Sequence, residues 1–232
     1  MKVLVTGGAG FVGTNLIKKL VEQGHEVASL DNYSTGFSTN HQKGCKYHGV
    51  DLCHRLEYSF FMDKPDVIFH LAALARIQPS IVNPHKTIHN NFVSTLCELY
   101  STLYDLNTSI CRFYNVYGKH HIHTGDYATV LAIFEKQFIH NQPLTITNKG
   151  EQRRDFTHVY DIADALISIM GKDFRAEDFE LGRGVNFSIN EIADCFGKDY
   201  PREYLPERPG EYDMTLADSS KAKELLNWNP TT

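Results

Sequence analysis

At 232 residues with a formal charge of −5 and no block of like charge, the chain lacks the clustered Lys and Arg that neutralise phosphates, which excludes nucleic acid as its main partner. No stretch approaches the ~20 apolar residues of a membrane span, and Val3-Leu4-Val5 leads straight into Thr6-Gly7-Gly8, so the N-terminus reads as a buried strand, with no room for a signal peptide. The five cysteines, Cys45, Cys53, Cys97, Cys111 and Cys195, are odd in number and share no metal-type spacing, so reduced, mostly buried thiols of a cytoplasmic protein are expected.

In chain order, Lys2–Thr6 is a strand and Phe11–Glu22 a helix, with apolar residues at helical period and Gly24 just past its end. Strands follow at 26–30, 47–50 and 67–72; the last is apolar throughout and expected to be buried on both faces. Pro84 opens a helix that runs to about Tyr104, and 109–114 returns as a strand. Later come a helix at 127–140, a strand at Leu144–Thr147, helices at 161–170 and 189–196 with Ser188 and Asn190 as candidate caps, and a last helix through Leu226 capped by Asp218. Residues 201–210 hold three prolines and read as loop. The alternation predicts an α/β fold, a Rossmann-type doubly wound parallel sheet over residues 1–118, followed at 119–232 by a smaller mixed α/β lobe.

The segment VLVTGGAGFVGTNL sets Gly7, Gly10 and Gly13 at G-x-x-G-x-x-G spacing between a strand and a helix. Gly7 permits the tight turn, Gly10 lets the backbone approach a pyrophosphate, and Gly13 lets the helix pack on the strand. The helix N-terminus offers free N–H groups and a partial positive charge. Asp31 lies 18 residues beyond Gly13, where a carboxylate meets ribose hydroxyls. A 2′-phosphate would face that charge with no Arg among Asn32, Tyr33 and Ser34 to offset it, so NAD is favoured over NADP.

Seven stretches together resemble the extended short-chain dehydrogenase/reductase family, and within it the NAD-dependent nucleotide-sugar epimerases and dehydratases of the UDP-glucose 4-epimerase type. They are TGGAGFVGTNL (6–16), LDNYSTG (30–36), VDL (50–52), IFHLAA (68–73), RFYNVYG (112–118), QRRDFTHVYDIADAL (152–166) and RPGEYDMTLADSSKAKELLNWNP (208–230), in the family's order. The resemblance implies that Gly7, Gly10, Phe11, Val12, Gly13, Asp31 and Asn32 bind the cofactor, with Asp51 and Leu52 flanking the adenine. Leu71, Ala72 and Ala73 would line the cofactor, and Asn91 would match the family's asparagine in the following helix. Asn115 would touch the sugar nucleotide, and Arg154 and Arg208 would hold its pyrophosphate, as guanidinium pairs with phosphate in bidentate fashion. Arg153 is expected to be solvated.

One departure decides the chemistry. The family pairs a Tyr, the proton-transfer group, with a Lys one helical turn on, which lowers the Tyr pKa and holds the nicotinamide ribose. None of the 12 tyrosines here is followed by Lys at that spacing. Residues 90–95 resemble the start of one family helix and residues 96–107 the end of a later one; the roughly fifty residues between are missing, with the junction near Thr95–Cys97. The sheet should then lack one central strand, unless 109–114 moves up to fill its place. No catalytic residue is identifiable. His120, His121 and His123 converge poorly for a metal that needs three or four ligands, so a solvated loop and no metal are expected. Tyr114, Tyr117 and Trp228 are expected to pack, and His70 to be a satisfied buried histidine.

The reading that follows is an NAD-dependent epimerase/dehydratase-like protein acting on an NDP-hexose, a UDP-sugar foremost, through a transient keto-sugar, and impaired in this chain. The alternative is a non-catalytic module binding NAD or a sugar nucleotide, and a third is a defective gene product, which resequencing across 95–97 would expose. The partner is a nucleotide sugar, with no nucleic acid and no membrane. A homodimer is the family's usual state, but it uses the helix that is shortened here.

Overall fold

Val3, Leu4 and Val5 are at most 3 % exposed, because their strand lies at the centre of a parallel sheet. The computed structural model describes residues 1–53, 64–74, 77–91, 99 and 101–232, with backbone alone at 86, 89 and 90. Strand β1 (Lys2–Thr6) is flanked by β2 (Glu26–Asp31) and by β4 (Val67–His70), and β3 (Cys45–Gly49) pairs outside β2, giving the order β3-β2-β1-β4. Register runs Val3↔Val27 and Val3↔Val67. The chain passes from one side of β1 to the other between β3 and β4, so the crevice at the carboxyl ends of β1 and β4 is a topological switch point, where ligands bind in such sheets. Helix α1 (Phe11–Glu22) buries Leu16, Ile17 and Leu20 on the sheet, and Gly24 at φ +80° follows its end as expected.

After α2 (Ile77–Val82) and α3 (Pro84–Asn91) come β5 (Ser109–Phe113) and β6 (Val116–Tyr117). The helix expected from Pro84 to Tyr104 is described only in part, and the junction at 95–97 and Cys97 lie outside the described residues. β5 has not moved up beside β4: it pairs in parallel with β10 (Glu177–Leu181), and no described strand joins β4 to β5. Among the described residues the parallel sheet is thus interrupted between β4 and β5. Ile68 on β4 is 58 % exposed, which corrects the expectation that this strand is covered on both faces. Ile77, Ile81, Val82, Ile88, Leu99, Leu103 and Leu106 are also more than 40 % exposed, an unusual run of uncovered apolar side chains between residues 68 and 106.

The C-terminal half holds α4 (Val130–Ile139), β7 (Leu144–Thr147), β8 (Arg153–Asp155), β9 (Thr157–His158) and α5 (Val159–Ile169), followed after β10 by β11 (Asn186–Ser188), α6 (Ile189–Asp194), β12 (Arg202–Leu205) and α7 (Ser220–Leu226). A second core gathers Phe134, Leu144, Ile146, Phe156, Ile189 and Ala193. The first core crosses residue 118, taking in Ile162, Leu166, Phe179, Leu181, Leu226 and Trp228 beside Val3, Val5 and Leu16. Trp228 is the expected anchor, its Nε1 donating to the Asp161 carbonyl at 2.8 Å.

Local chemistry sets several ends differently from expectation. Thr129 caps α4, since its hydroxyl accepts from Ala132 N, so the helix starts three residues late. Ser188 and Glu191 form a capping box for α6. Asn190 is not a cap: its amide donates to the Lys149 carbonyl and to Glu151. Ser219, not Asp218, precedes α7, although the Asp218 carboxylate accepts from Ser220 N at 3.1 Å. Residues 202–205, expected as loop, pair with β7 as an edge strand whose flanking prolines fall outside its bounds. Cys53 and Cys195 are exposed rather than buried.

Candidate functional site

The glycine loop is shaped by what a side chain would strike. A Cβ on Gly7, at φ +71°, would stand 2.8 Å from Ala72 N and 2.9 Å from the Leu71 carbonyl, so β1 and β4 approach each other too closely there for any other residue. A Cβ on Gly13 would stand 2.3 Å from the Gly7 carbonyl oxygen, which ties the first turn of α1 to the loop. Gly10 precedes α1 without a side-chain cap, the first turn carries no acidic residue, and the N–H groups of Phe11, Val12 and Gly13 have no carbonyl four residues back within the helix. Gly36, not singled out from sequence, is equally constrained: a Cβ there would lie 2.8 Å from Ala9 C.

Asp31 ends β2 and is 7 % exposed. Its carboxylate accepts from Ala9 N at 2.9 Å and from Tyr33 N at 2.8 Å, joining the glycine loop to the turn that follows β2. Asn32 accepts from Ser34 N at 3.0 Å and is exposed. Asp51 accepts from Cys53 N, and Leu52 packs with Val50 on Leu4, Ala28 and Leu30. Leu71 N and Ala72 N donate to Thr6 Oγ1 at 3.2 and 3.3 Å, and Ala73 is exposed. Asn91 is spent on Leu74, accepting from its N and donating to its carbonyl, both at 2.8 Å, so it holds the loop after β4. His70 is satisfied by Thr6 Oγ1 at 2.9 Å but exposed, not buried.

The cradle fits a dinucleotide: glycine positions that a Cβ would crowd, first-turn amides with no partner inside the helix, and a buried carboxylate at the end of the neighbouring strand meet at the switch point.

Asn115 follows β5, and its Oδ1 accepts from Thr215 Oγ1 at 3.3 Å. Arg154 on β8 is 13 % exposed in its side chain, donates to the Arg153 carbonyl at 2.9 Å, and lies 3.7 Å from Glu211. Burial pulls its pKa down, against the pull of Glu211 and Asp213. Residues 213–215 pair with Arg153 of β8, Arg153 N donating to Asp213 O at 2.8 Å and Thr215 N to Arg153 O at 3.0 Å. Arg208 is exposed and lies three residues before Glu211, the partner of Arg154. Gln78 of α2 donates to the Pro209 carbonyl. Arg153 stays 39 % exposed in its side chain but is tied down: it donates to Asn186 twice at 2.8 Å and pairs with Glu191 at 3.0 Å.

Asp155, which the sequence did not mark, is fully buried and accepts from the backbone N–H groups of Arg183, Gly184 and Ala217. Tyr114 donates to Glu180 at 2.8 Å, and burial followed by that contact pushes its pKa up to about 12. Burial also raises the pKa of Tyr117, whose ring meets His158 edge-on. His121 is 6 % exposed, not solvated, with its Nε2 2.8 Å from Glu135, a residue 14 positions away on α4. No helix among the described residues is long and apolar enough to cross a membrane.

The model of the NAD dependent epimerase/dehydratase family matches residues 3–97 and 93–182. The two matched pieces meet at 93–97, where the junction is read from the sequence. The UDP-glucose 4-epimerase of Mycolicibacterium smegmatis is 26 % identical over 300 residues, covering 99 % of this chain and 94 % of its own length. The UDP-glucuronate 4-epimerase of Thermodesulfobacterium geofontis is 28 % identical over 297 residues, with 98 % and 90 % covered. Among solved structures, the UDP-glucose 4-epimerase of Thermotoga maritima with UDP-glucose superposes with a TM-score of 0.91 at 25 % identity, covering all of this chain and 94 % of that one. At 232 residues the chain is shorter than these relatives.

Proposed function

The chain belongs to the NAD dependent epimerase/dehydratase family, whose cofactor is NAD, and we propose that it holds NAD along the glycine loop and a nucleotide sugar, a UDP-hexose foremost, across Asn115, Arg154 and Arg208. The observation that carries this reading is the Asp31 carboxylate, buried and bonded to Ala9 N at the mouth of the glycine loop. From there one oxygen edge meets the ribose hydroxyls, with Asn32 beside it, while the first-turn amides of Phe11, Val12 and Gly13 and the dipole of α1 receive the pyrophosphate. Gly7 and Gly10 leave it room, and Asp51 and Leu52 flank the adenine. Leu71, Ala72 and Ala73 line the far end, and Asn91 acts by fixing Leu74. When bound, NAD supplies the hydride acceptor and donor for passage through a keto-sugar.

What the sequence lacks is the family's Tyr–Lys pair at one-turn spacing. No Tyr has Lys four residues on, and Tyr114, next to Asn115, gives its proton to a hydrogen bond with Glu180 and is held near a pKa of 12. Loss of that proton-transfer group removes about 10²–10⁴-fold in rate. The activity is accordingly an impaired epimerase/dehydratase reaction. The second reading, a non-catalytic NAD and sugar-nucleotide binder, is favoured by the state of Tyr114. Titration with NADH, with NADPH as control, and turnover assays on UDP-hexoses test both. Saturable NADH binding with turnover at least ~10²-fold below an intact relative supports impairment, and binding without turnover supports the second reading. Turnover equal to an intact relative refutes both, and a folded protein that binds no NADH refutes the cofactor site.

A further inference from the structure

We infer that His121, His123 and Glu135 form a divalent transition-metal site of the zinc class. Their ligand atoms all lie within 4.8 Å of one another. His121 Nε2 is 2.8 Å and His123 Nε2 3.6 Å from the same Glu135 oxygen. A tetrahedral metal with bonds of about 2.0–2.2 Å sets its ligands roughly 3.3–3.6 Å apart, a span the observed pair of distances covers. Two imidazoles and one carboxylate are a donor set that zinc uses with three protein ligands and one open position.

The surroundings serve the same end. His121 is buried, its ring 6.1 Å from that of Phe11 and edge-on to that of His123 at 4.6 Å, so two ligands are pre-placed by packing. Among the described residues its buried Nδ1 has no hydrogen-bond partner, and Glu135 is the contact that orients the ring. His123 and Glu135 are about half exposed, which gives an ion a route in. Beside them lies a cavity of about 400 Å³ lined by Phe11, Thr35, Phe37, Asn40 and the two histidines, space for the fourth ligand. A bound ion would tie the loop after Gly118 to α4. Because Asn15 of α1 donates to the Lys119 carbonyl at 2.8 Å, it would brace the cofactor helix as well.

The test is titration of untagged, chelator-treated protein with Zn²⁺ by calorimetry and with Co²⁺ by visible absorption, alongside His123→Ala, Glu135→Gln and, as control, His85→Ala in α3. The expected result is one equivalent bound, a tetrahedral Co²⁺ spectrum and a raised thermal midpoint. Affinity should fall at least ~100-fold in His123→Ala and in Glu135→Gln, beyond what loss of an outer partner costs, and stay unchanged in His85→Ala. The substituted ligands are half-exposed side chains, so these variants fold even where His121→Ala does not. Absence of saturable binding, or binding that survives both substitutions, overturns the site and leaves a His121–Glu135 hydrogen bond in its place.

Discussion

Asp31 and Ala9 are joined by a 2.9 Å hydrogen bond from the Ala9 N–H to the carboxylate, so the residue expected to meet the ribose also holds the glycine loop in shape. Asp31→Ala strips the acceptor from two backbone N–H groups, those of Ala9 and Tyr33, at a cost of about 1–3 kcal/mol for each one left buried. NADH binding should disappear with it. Asp31→Asn keeps one acceptor oxygen, and so one of the two hydrogen bonds, while removing the charge. It should therefore narrow the preference for NADH over NADPH, because the repulsion of a 2′-phosphate goes with the charge. Urea unfolding and fluorescence titration with both cofactors separate the two effects; an unaltered preference in a folded Asp31→Asn would count against the ribose role.

The two glycines either side of the helix start should behave differently. An alanine Cβ at Gly13 meets backbone atoms of Gly7 and Gly8 at 2.3 and 2.7 Å, and backbone cannot swing aside. Gly13→Ala should cost about 1–3 kcal/mol, the usual price of overpacking. At Gly10 the nearest atom is 3.2 Å away and φ is −80°, ordinary for any residue. Gly10→Ala should leave the thermal midpoint nearly unchanged and still weaken NADH binding, because its methyl stands where the pyrophosphate must approach. Differential scanning fluorimetry beside NADH titration reads both, and equal destabilisation by the two would contradict the packing argument.

The glycine loop, α1 and Asp31 were legible because their signals are local: an apolar run, a helical period and fixed spacings. β10 was not, since EDFEL reads as acidic surface; its alternation turns Phe179 and Leu181 inward, both fully buried, while Asp178 pairs with Arg112. Glu135 could not be linked to His121 by any spacing rule, because the contact exists only once α4 packs beside the loop. Ile68 misled for the opposite reason: its apolar character anticipates a cover that no described strand or helix provides.

Alkaline stability should follow the half-buried thiols. Burial pushes both Cys45 and Cys111 up to about 12 from an ordinary value near 9. A thiol raised in this way stays protonated in the folded state while the unfolded chain ionises. Its contribution is complete below pH ~9 and is lost as pH rises from there towards ~12. Urea midpoints should therefore fall steadily over that window. At pH 8 a thiol reagent with peptide mapping should label the exposed Cys53 and Cys195 in the folded protein, and Cys45 and Cys111 only after unfolding. Rapid native labelling of Cys111 would contradict its burial.

Arg154 and Arg208 should both weaken a UDP-sugar when removed, yet only one should disturb the fold. Arg154 is largely enclosed, bonded to the Arg153 carbonyl and near Glu211, so Arg154→Ala loses packing and contacts along the 208–215 segment. Arg208 is exposed, and Arg208→Ala should leave stability within ~0.5 kcal/mol. Each guanidinium holding a phosphate contributes about 1.5–3 kcal/mol, hence roughly a 10–100-fold loss of UDP-sugar affinity per substitution. Arg208→Lys should recover only part of it, since an ammonium cannot make the paired contacts of the planar fork. Calorimetric titration with a UDP-hexose in the presence of NAD reads the affinities, and repeating it at higher salt should shrink the Arg208 effect more than the Arg154 effect, because exposed charges are screened first. Undiminished binding by Arg208→Ala would remove that residue from the site and leave Arg154 as the pyrophosphate contact to be explained alone.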